Sequence, residues 1–123
     1  KFHEAKINNS PAVTLWGTGK ALREFLYADD CARACHFLME NYHDSEIVNV
    51  GTGTDQSILE LAHHIKSIIG YSGTIEFDSS MPDGTPKKQL DVSKLFSFGW
   101  RPETSLDAGI KLAYEDFLKT YKS

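Results

Sequence analysis

An α/β fold, or an α+β arrangement of the same elements, is predicted by three features of this 123-residue chain. Short runs rich in β-branched and aromatic residues alternate with longer segments in which apolar residues recur every three or four positions. Turn-forming residues separate most of these segments. The composition, 41% hydrophobic and 24% charged, is ordinary for a globular protein. We therefore expect one domain or part of one, with small strands and three main helices.

The first elements are predicted to be a helix end and two strands. Phe2 and Ala5 lie on one side of residues 1–6 and charges lie elsewhere, so the chain opens inside a helix. Because a helix normally begins with a cap and a costly first turn, we expect this chain to be a fragment. Residues 12–16 carry the β-branched and aromatic side chains of a strand, and residues 22–27 alternate in polarity as a half-buried strand does.

Two helices and a strand are predicted next. Asp29 or Asp30 offers an N-cap for a helix over 31–42, and residues 46–50 suit a brief strand. A capping box at 57–60 then starts a helix that Gly70 ends. The apolar stripe of that helix comprises Ile58, Leu61, Ala62, Ile65, Ile68 and Ile69.

The last third of the chain is predicted to be less regular before its final helix. Residues 74–77 suit a strand, whereas residues 78–88 contain two prolines and a glycine and are predicted to lack regular structure. A short helix is expected within 91–98. Thr104 or Ser105 caps the final helix, whose apolar face comprises Leu106, Ile110, Ala113 and Phe117.

Charge and hydropathy exclude several classes of protein. The net charge is −4 and the isoelectric point is about 5.7, so the broad basic face of a nucleic-acid-binding protein is not expected. No apolar run approaches the roughly 18 residues that a membrane helix needs. Cys31 and Cys35 lie one helical turn apart, which indicates a reducing compartment rather than a disulfide framework.

Two motifs resemble cofactor or metal sites but are weak. The turn Gly51-Thr52-Gly53-Thr54 stands between a strand and a helix, where a phosphate-binding loop would stand. It lacks the third glycine and the acidic residue of a dinucleotide site, so a simple turn is favoured. Cys31, Cys35, His36 and His43 do not share one helical face, and we expect the two thiols to be buried.

A third group of residues is compatible with binding a small anion. Trp16, Arg23, Asp83, Lys87 and Lys88 stand on or beside predicted loops. Arginine binds phosphate bidentately, an aromatic ring packs on a sugar, and a carboxylate accepts hydrogen bonds from hydroxyls. A core role for the tryptophan and solvated roles for the cations are equally compatible with the residues alone.

Several separated motifs resemble one enzyme family. Three segments resemble the signature of extended short-chain dehydrogenase/reductases that act on nucleotide sugars. They are Trp16-Gly-Thr-Gly-Lys-Ala-Leu-Arg-Glu-Phe-Leu-Tyr-Ala-Asp-Asp30, Asn49-Val-Gly-Thr-Gly53 and Gly99-Trp-Arg-Pro102. Phe77-Asp-Ser-Ser-Met-Pro-Asp-Gly-Thr-Pro-Lys-Lys-Gln-Leu-Asp-Val92 and the opening Phe2-His-Glu-Ala5 resemble the GDP-L-fucose synthases among them. The resemblance covers the whole chain and corresponds to the C-terminal part of those enzymes.

This resemblance implies a domain assignment and a substrate site. Residues 1–123 are expected to be a C-terminal substrate-binding domain fragment of an extended Rossmann enzyme, without its N-terminal NADP-binding domain. The family converts GDP-4-keto-6-deoxy-D-mannose to GDP-L-fucose by 3,5-epimerisation and NADPH-dependent 4-reduction. Its substrate-binding positions fall on Lys1, Trp16, Arg23 and Asp83. We expect Arg23 and Lys1 to stabilise the diphosphate, Trp16 to form a pocket wall, and Asp83 to bind hydroxyls.

The same resemblance places the chemistry outside this chain. The family's glycine-rich NADP loop, its Tyr-x-x-x-Lys pair and its Cys and His epimerisation residues are expected upstream. We therefore assign no catalytic, cofactor-binding or metal-binding residue here, and expect the chain alone to be inactive. The intact enzyme is expected to be a cytoplasmic homodimer that binds a GDP-sugar and NADP(H). The alternatives are another NAD(P)-dependent nucleotide-sugar epimerase or dehydratase, or a freestanding, non-catalytic module that binds a nucleotide sugar or a protein.

Overall fold

The computed structural model describes residues 1–121, which contain five helices and five short strands. In chain order these are α1 (Phe2–Ile7), β1 (Ala12–Trp16), β2 (Leu22–Arg23), α2 (Ala28–Asn41), β3 (Gln56–Ser57), α3 (Ile58–Ile69), β4 (Thr74–Asp78), β5 (Lys87–Lys88), α4 (Ser93–Ser97) and α5 (Leu106–Thr120). The mixed class and the three main helices, α2, α3 and α5, are confirmed.

The first sheet joins β1 and β4 in parallel. Its register pairs Val13 with Ile75 and Trp16 with Asp78. The helices α1 and α3 cover this sheet, and the core between them consists of Phe2, Ala5, Val13, Ala62, Ile69 and Tyr71. Because the two strands are parallel, their carboxyl ends meet at one edge, which is where open α/β sheets bind ligands.

The second sheet has three strands in the order β3-β2-β5. The central strand β2 is antiparallel to β3 and parallel to β5, and it pairs Leu22 with Lys87 and Arg23 with Lys88. A backbone hydrogen bond of 2.8 Å from the Leu22 amide to the Pro86 carbonyl extends this pairing. Each strand has only two residues, so the backbone ladder by itself fixes the sheet weakly.

A second core lies between α2 and α4. Ala34, Leu95 and Trp100 are buried there, and Val48 and Val50 pack against them. The same region contains a charged group that solvent does not reach.

That group is Asp30, whose exposed fraction is 0%. Its carboxylate accepts a hydrogen bond from the Arg33 guanidinium and another, of 2.9 Å, from the Thr104 amide. Asp30 thus joins α2 to the segment that precedes α5.

The predicted helix starts at Ser57 and Ser105 are confirmed. The Ser57 hydroxyl accepts a 3.1 Å hydrogen bond from the Glu60 amide, and the Glu60 carboxylate accepts one of 2.8 Å from the Ser57 amide. The Ser57 amide and then the Ser57 hydroxyl, which both donate to the Glu60 carboxylate, lower the pKa of Glu60 below its ordinary value. Gly70 ends α3 with φ of +71°, a conformation that glycine adopts without steric cost.

The predicted strand at 46–50 is wrong. Within residues 1–121 this segment has no partner strand, although Val48 and Val50 point inward while Ile47 and Asn49 are exposed. Side-chain bonds replace the ladder: the Tyr42 hydroxyl donates to the Glu46 carbonyl at 3.0 Å, and the Asn49 amide donates to the Asp91 carbonyl at 3.0 Å. The alternating polarity therefore predicts correctly which side chains face the core, but it does not show that the segment pairs with another strand.

The start of α2 and the length of β2 also differ from the prediction. The helix begins at Ala28 with Tyr27 at the N-cap, because Asp30 binds Arg33 and Thr104 instead of the helix amides. The strand predicted over 22–27 ends at Arg23, because its neighbours β3 and β5 offer only two residues each.

Two further expectations need correction. Cys31 and Cys35 are exposed rather than buried. The buried face of α2 passes through Asp30 and Ala34, and each thiol stands one position further along, about 100° around the helix. Regular structure also enters the segment 78–88, because β4 extends to Asp78 and β5 forms at its end.

Candidate functional site

Trp16 lies at the carboxyl end of β1, at the edge shared with the end of β4. Its side chain is 67% exposed, so the core role that was also open to it is excluded. The Gly17 amide donates a 2.9 Å hydrogen bond to the Asp78 carbonyl and joins the ends of the two strands. A large aromatic surface is therefore available to a ligand beside the loop that follows β1.

Asp83 lies against that loop. Its carboxylate accepts a 2.7 Å hydrogen bond from the Thr18 amide and a 2.6 Å bond from the Thr18 hydroxyl. Gly17 has φ of +80°, and a side chain there would collide with the Asp83 carboxylate. The Thr18 hydroxyl and then its amide lower the pKa of Asp83, so this exposed group is an ionised hydrogen-bond acceptor at neutral pH.

Arg23 lies on the other side of the same segment. The half-buried guanidinium donates a 2.6 Å hydrogen bond to the Leu22 carbonyl, and a side chain at Gly84 would approach its second terminal nitrogen to 3.7 Å. Asp83 therefore binds the loop after β1, and its neighbour Gly84 lies close to the Arg23 guanidinium. Through this segment the structure places Trp16, Asp83 and Arg23 around one loop cluster.

Lys88 joins Arg23 because the two residues are paired in the parallel β2–β5 register. Paired residues of neighbouring strands project from the same face of a sheet, so two cations share one face here. The adjacent Lys87 is instead 3.3 Å from the Asp55 carboxylate. The dilysine was recognisable in the sequence, but only the register shows which lysine lies beside Arg23.

Lys1 is placed at the other end of the site. Its ammonium donates a 3.0 Å hydrogen bond to the backbone carbonyl of Thr14 in β1. Thr14 and Trp16 are two positions apart in that strand, so their side chains share a face. The described contacts place Lys1 beside the strand that carries Trp16, and connect it directly with neither Arg23 nor Asp83.

Glu24 is an organising residue that the sequence reasoning missed. Its Oε1 accepts hydrogen bonds from the amides of Thr52 and Gly53, and its Oε2 accepts one of 3.1 Å from the Leu90 amide. The turn at 51–54 was expected to be a simple strand-to-helix turn, and two of its amides do bind a carboxylate of the chain itself. Glu24 and Thr52 are 28 positions apart in the sequence, and neither motif by itself indicates that the two residues are in contact.

Two open clefts on the described surface lie away from the four residues predicted to bind substrate. One of about 370 Å³ is lined mainly by polar side chains, including Thr52, Thr54 and Gln56. Another, of about 400 Å³, is largely apolar and lies between α3 and α5. Neither is lined by Lys1, Trp16, Arg23 or Asp83.

Residues 1–121 contain no group of three or more His, Cys, Asp or Glu side chains placed to bind a metal ion. In the same residues, no helix has both the length and the apolar character needed to cross a membrane.

Sequence comparison relates the chain to known enzymes. The NAD dependent epimerase/dehydratase family matches residues 1–51. GDP-L-fucose synthase 1 of Arabidopsis thaliana is 48% identical over 119 residues, which are 97% of this chain and 37% of that protein. GDP-L-fucose synthase of Escherichia coli K12 is 45% identical over 128 residues, covering 97% of this chain and 40% of that protein.

Structural comparison agrees with these matches. The crystal structure of a GDP-L-fucose synthetase from Naegleria fowleri bound to NADP superposes with a TM-score of 0.91 at 30% identity. The match covers 97% of this chain and 38% of that one. The chain is therefore a homologue of the GDP-L-fucose synthases, and it spans less than half the length of the relatives that it matches.

Proposed function

We propose that residues 1–123 are the C-terminal substrate-binding domain of a GDP-L-fucose synthase, and that they bind the GDP-sugar. The observation that carries this proposal is the pairing of Arg23 with Lys88, next to the loop that contains Asp83. Two cations on one face suit the two phosphates of a nucleoside diphosphate. They supply local positive charge in a chain whose net charge is −4.

The chemistry of each side chain suggests its role. Arg23 presents a planar fork for bidentate contact with one phosphate, and Lys88 adds a point charge for the other. Trp16 offers an exposed ring against which a sugar or base can pack. The oxygens of Asp83 have further lone pairs beyond those that Thr18 uses, so the carboxylate can accept hydrogen bonds from sugar hydroxyls.

Lys1 is proposed to contribute from the β1 side. Its ammonium has three donors, and the Thr14 carbonyl uses one of them. The remaining donors can contact an anionic or hydroxyl group of the ligand near Trp16.

The intact protein is proposed to perform 3,5-epimerisation and 4-reduction with NADP(H) bound by a domain outside this chain. The family's reductase pair is Tyr-x-x-x-Lys, and no tyrosine of this sequence is followed by lysine four positions later. We therefore propose that the chain presents the GDP-sugar to groups that lie elsewhere, and that it is inactive by itself. The two free thiols, Cys31 and Cys35, are compatible with a cytoplasmic location.

Calorimetric titration of the full-length protein with GDP and UDP tests this proposal. GDP should bind more tightly than UDP, and Arg23→Ala should weaken the binding of GDP. Preference for UDP would instead favour the alternative of another nucleotide-sugar epimerase or dehydratase. A full-length protein that starts near Lys1 and binds a nucleotide sugar without turnover would favour the freestanding module.

A further inference from the structure

Glu24 connects three separate segments of the chain at the back of the proposed site. Four donors reach its carboxylate: the amides of Thr52, Gly53 and Leu90, and the Thr52 hydroxyl. A concave group of backbone amides of this kind favours a negatively charged occupant. In this protein the occupant is the carboxylate of Glu24, the residue directly after Arg23.

The fit around the carboxylate is close. Gly51 is buried, and a side chain at this position would collide with Oε1 of Glu24. The Gln89 side chain donates a 2.5 Å hydrogen bond to the Gly53 carbonyl, which joins the turn to the segment after β5 a second time. The turn at 51–53 and the segment at 88–90 are therefore fixed relative to β2 by side-chain contacts as well as by the backbone.

Those contacts matter because the backbone pairing is so short. The β2–β5 ladder consists of Leu22–Lys87 and Arg23–Lys88, and it stops where the two cations stand. Glu24 follows the first cation by one residue, and Leu90 follows the second by two. The Glu24–Leu90 hydrogen bond thus continues the pairing beyond the ladder and limits the movement of Lys88 relative to Arg23.

We propose that Glu24 is a positioning residue that fixes the spacing of Arg23 and Lys88 for a nucleoside diphosphate. This inference rests on the proposed function and adds to it the group that organises the anion site. It also predicts the direction in which GDP affinity changes when the Glu24 charge is removed, and that direction is opposite to the one expected from charge alone. Removal of a negative charge close to an anion site should strengthen anion binding by Coulomb's law, whereas loss of positioning should weaken it.

The experiment is calorimetric titration of the full-length protein with GDP, comparing two variants with the wild type. Glu24→Gln is nearly isosteric, removes the charge and brings an amide group against amide donors. Glu24→Asp retains the charge but is one methylene shorter, so its carboxylate cannot reach both Thr52 and Leu90. The control Glu115→Gln removes the same charge from an exposed position on α5.

We expect Glu24→Gln to weaken GDP binding about tenfold, which is the effect of losing one hydrogen bond to a charged group, here between the Glu24 carboxylate and a backbone amide. Glu24→Asp should weaken it by a smaller factor, and Glu115→Gln should leave it unchanged. An unaltered binding stoichiometry shows that the variants are folded. In an Arg23→Ala background, Glu24→Gln should cause little further loss, because its effect passes through Arg23.

Two results would overturn the inference while leaving the proposed function intact. One is that both Glu24 variants bind GDP as tightly as the wild type does, or more tightly. The other is an equal loss with and without Arg23, which indicates general destabilisation. If Glu24→Gln does not fold, Glu24→Asp decides by the same criteria. Absence of GDP binding by the wild type would instead refute the proposed function, and this inference with it.

Discussion

Replacement of Asp30 by alanine tests the packing of α2 most directly. The carboxylate is completely buried, whereas 48% of the Arg33 side chain is exposed. The guanidinium can therefore be hydrated when its partner is removed, and the cost of an uncompensated buried charge does not arise. The Thr104 amide loses its acceptor, which costs about 1–3 kcal/mol. With a small cavity worth about 0.5–1 kcal/mol, the expected loss is about 1.5–4 kcal/mol.

Urea unfolding at pH 7, followed by circular dichroism, measures this loss, and Asp29→Ala is the matched control. Asp29 is the exposed neighbour in the first turn of α2, so its removal costs only a favourable interaction with the helix dipole, about 0.3–1 kcal/mol. If the two variants differ in their free energies of unfolding by less than about 0.5 kcal/mol, Asp30 does not join α2 to residue 104 as described.

Three further predictions concern binding, capping and pH. Arg23→Ala should cost about 1.5–3 kcal/mol of GDP binding in the full-length protein, the range for a charge-assisted contact, as measured by calorimetry. Ser57→Ala should lower the free energy of unfolding by about 1 kcal/mol in urea titrations, because it removes the hydroxyl that accepts the hydrogen bond from the Glu60 amide. The Asp83–Thr18 contact should persist as the pH falls to the ordinary carboxyl pKa of 3.8, and be lost only as the pH falls through the lowered pKa of Asp83. The Thr18 amide resonance in an NMR titration reports that loss.

Each of these predictions has a control or a contradicting outcome. Lys111→Ala removes a positive charge from an exposed position of α5 and should leave GDP affinity unchanged. Ser67→Ala, at an exposed position within α3, should change stability far less than Ser57→Ala. A Thr18 amide resonance that titrates at or above pH 3.8 would contradict the cause assigned to the lowered pKa of Asp83.

The helices were predictable because their signals are local. The capping box and apolar stripe of α3 occupy consecutive residues, so the sequence contained both its start and its period. The segment 46–50 shows the limit of such reasoning. Alternating polarity reports which side chains face the core, but a strand also needs a neighbour, and a neighbour is a property of the fold.

The site was predictable in its residue types and not in its arrangement. The family resemblance selected Lys1, Trp16, Arg23 and Asp83, and the structure places the last three around one loop cluster, while their roles remain predictions. The pairing that places Lys88 beside Arg23 comes from a two-residue ladder whose paired residues are 65 positions apart in the sequence. Glu24 was not predicted because three of its four donors are backbone amides, which every residue except proline has.

The two tryptophans lie in contrasting surroundings and can therefore serve as two separate intrinsic fluorescence probes. Trp16 is 67% exposed beside the proposed site, and Trp100 is 8% exposed in the second core. The first indole should emit at longer wavelength and be accessible to acrylamide, whereas the second should emit in the blue and be shielded. Ligand arrival and loss of the fold can therefore be followed separately, without attaching a dye.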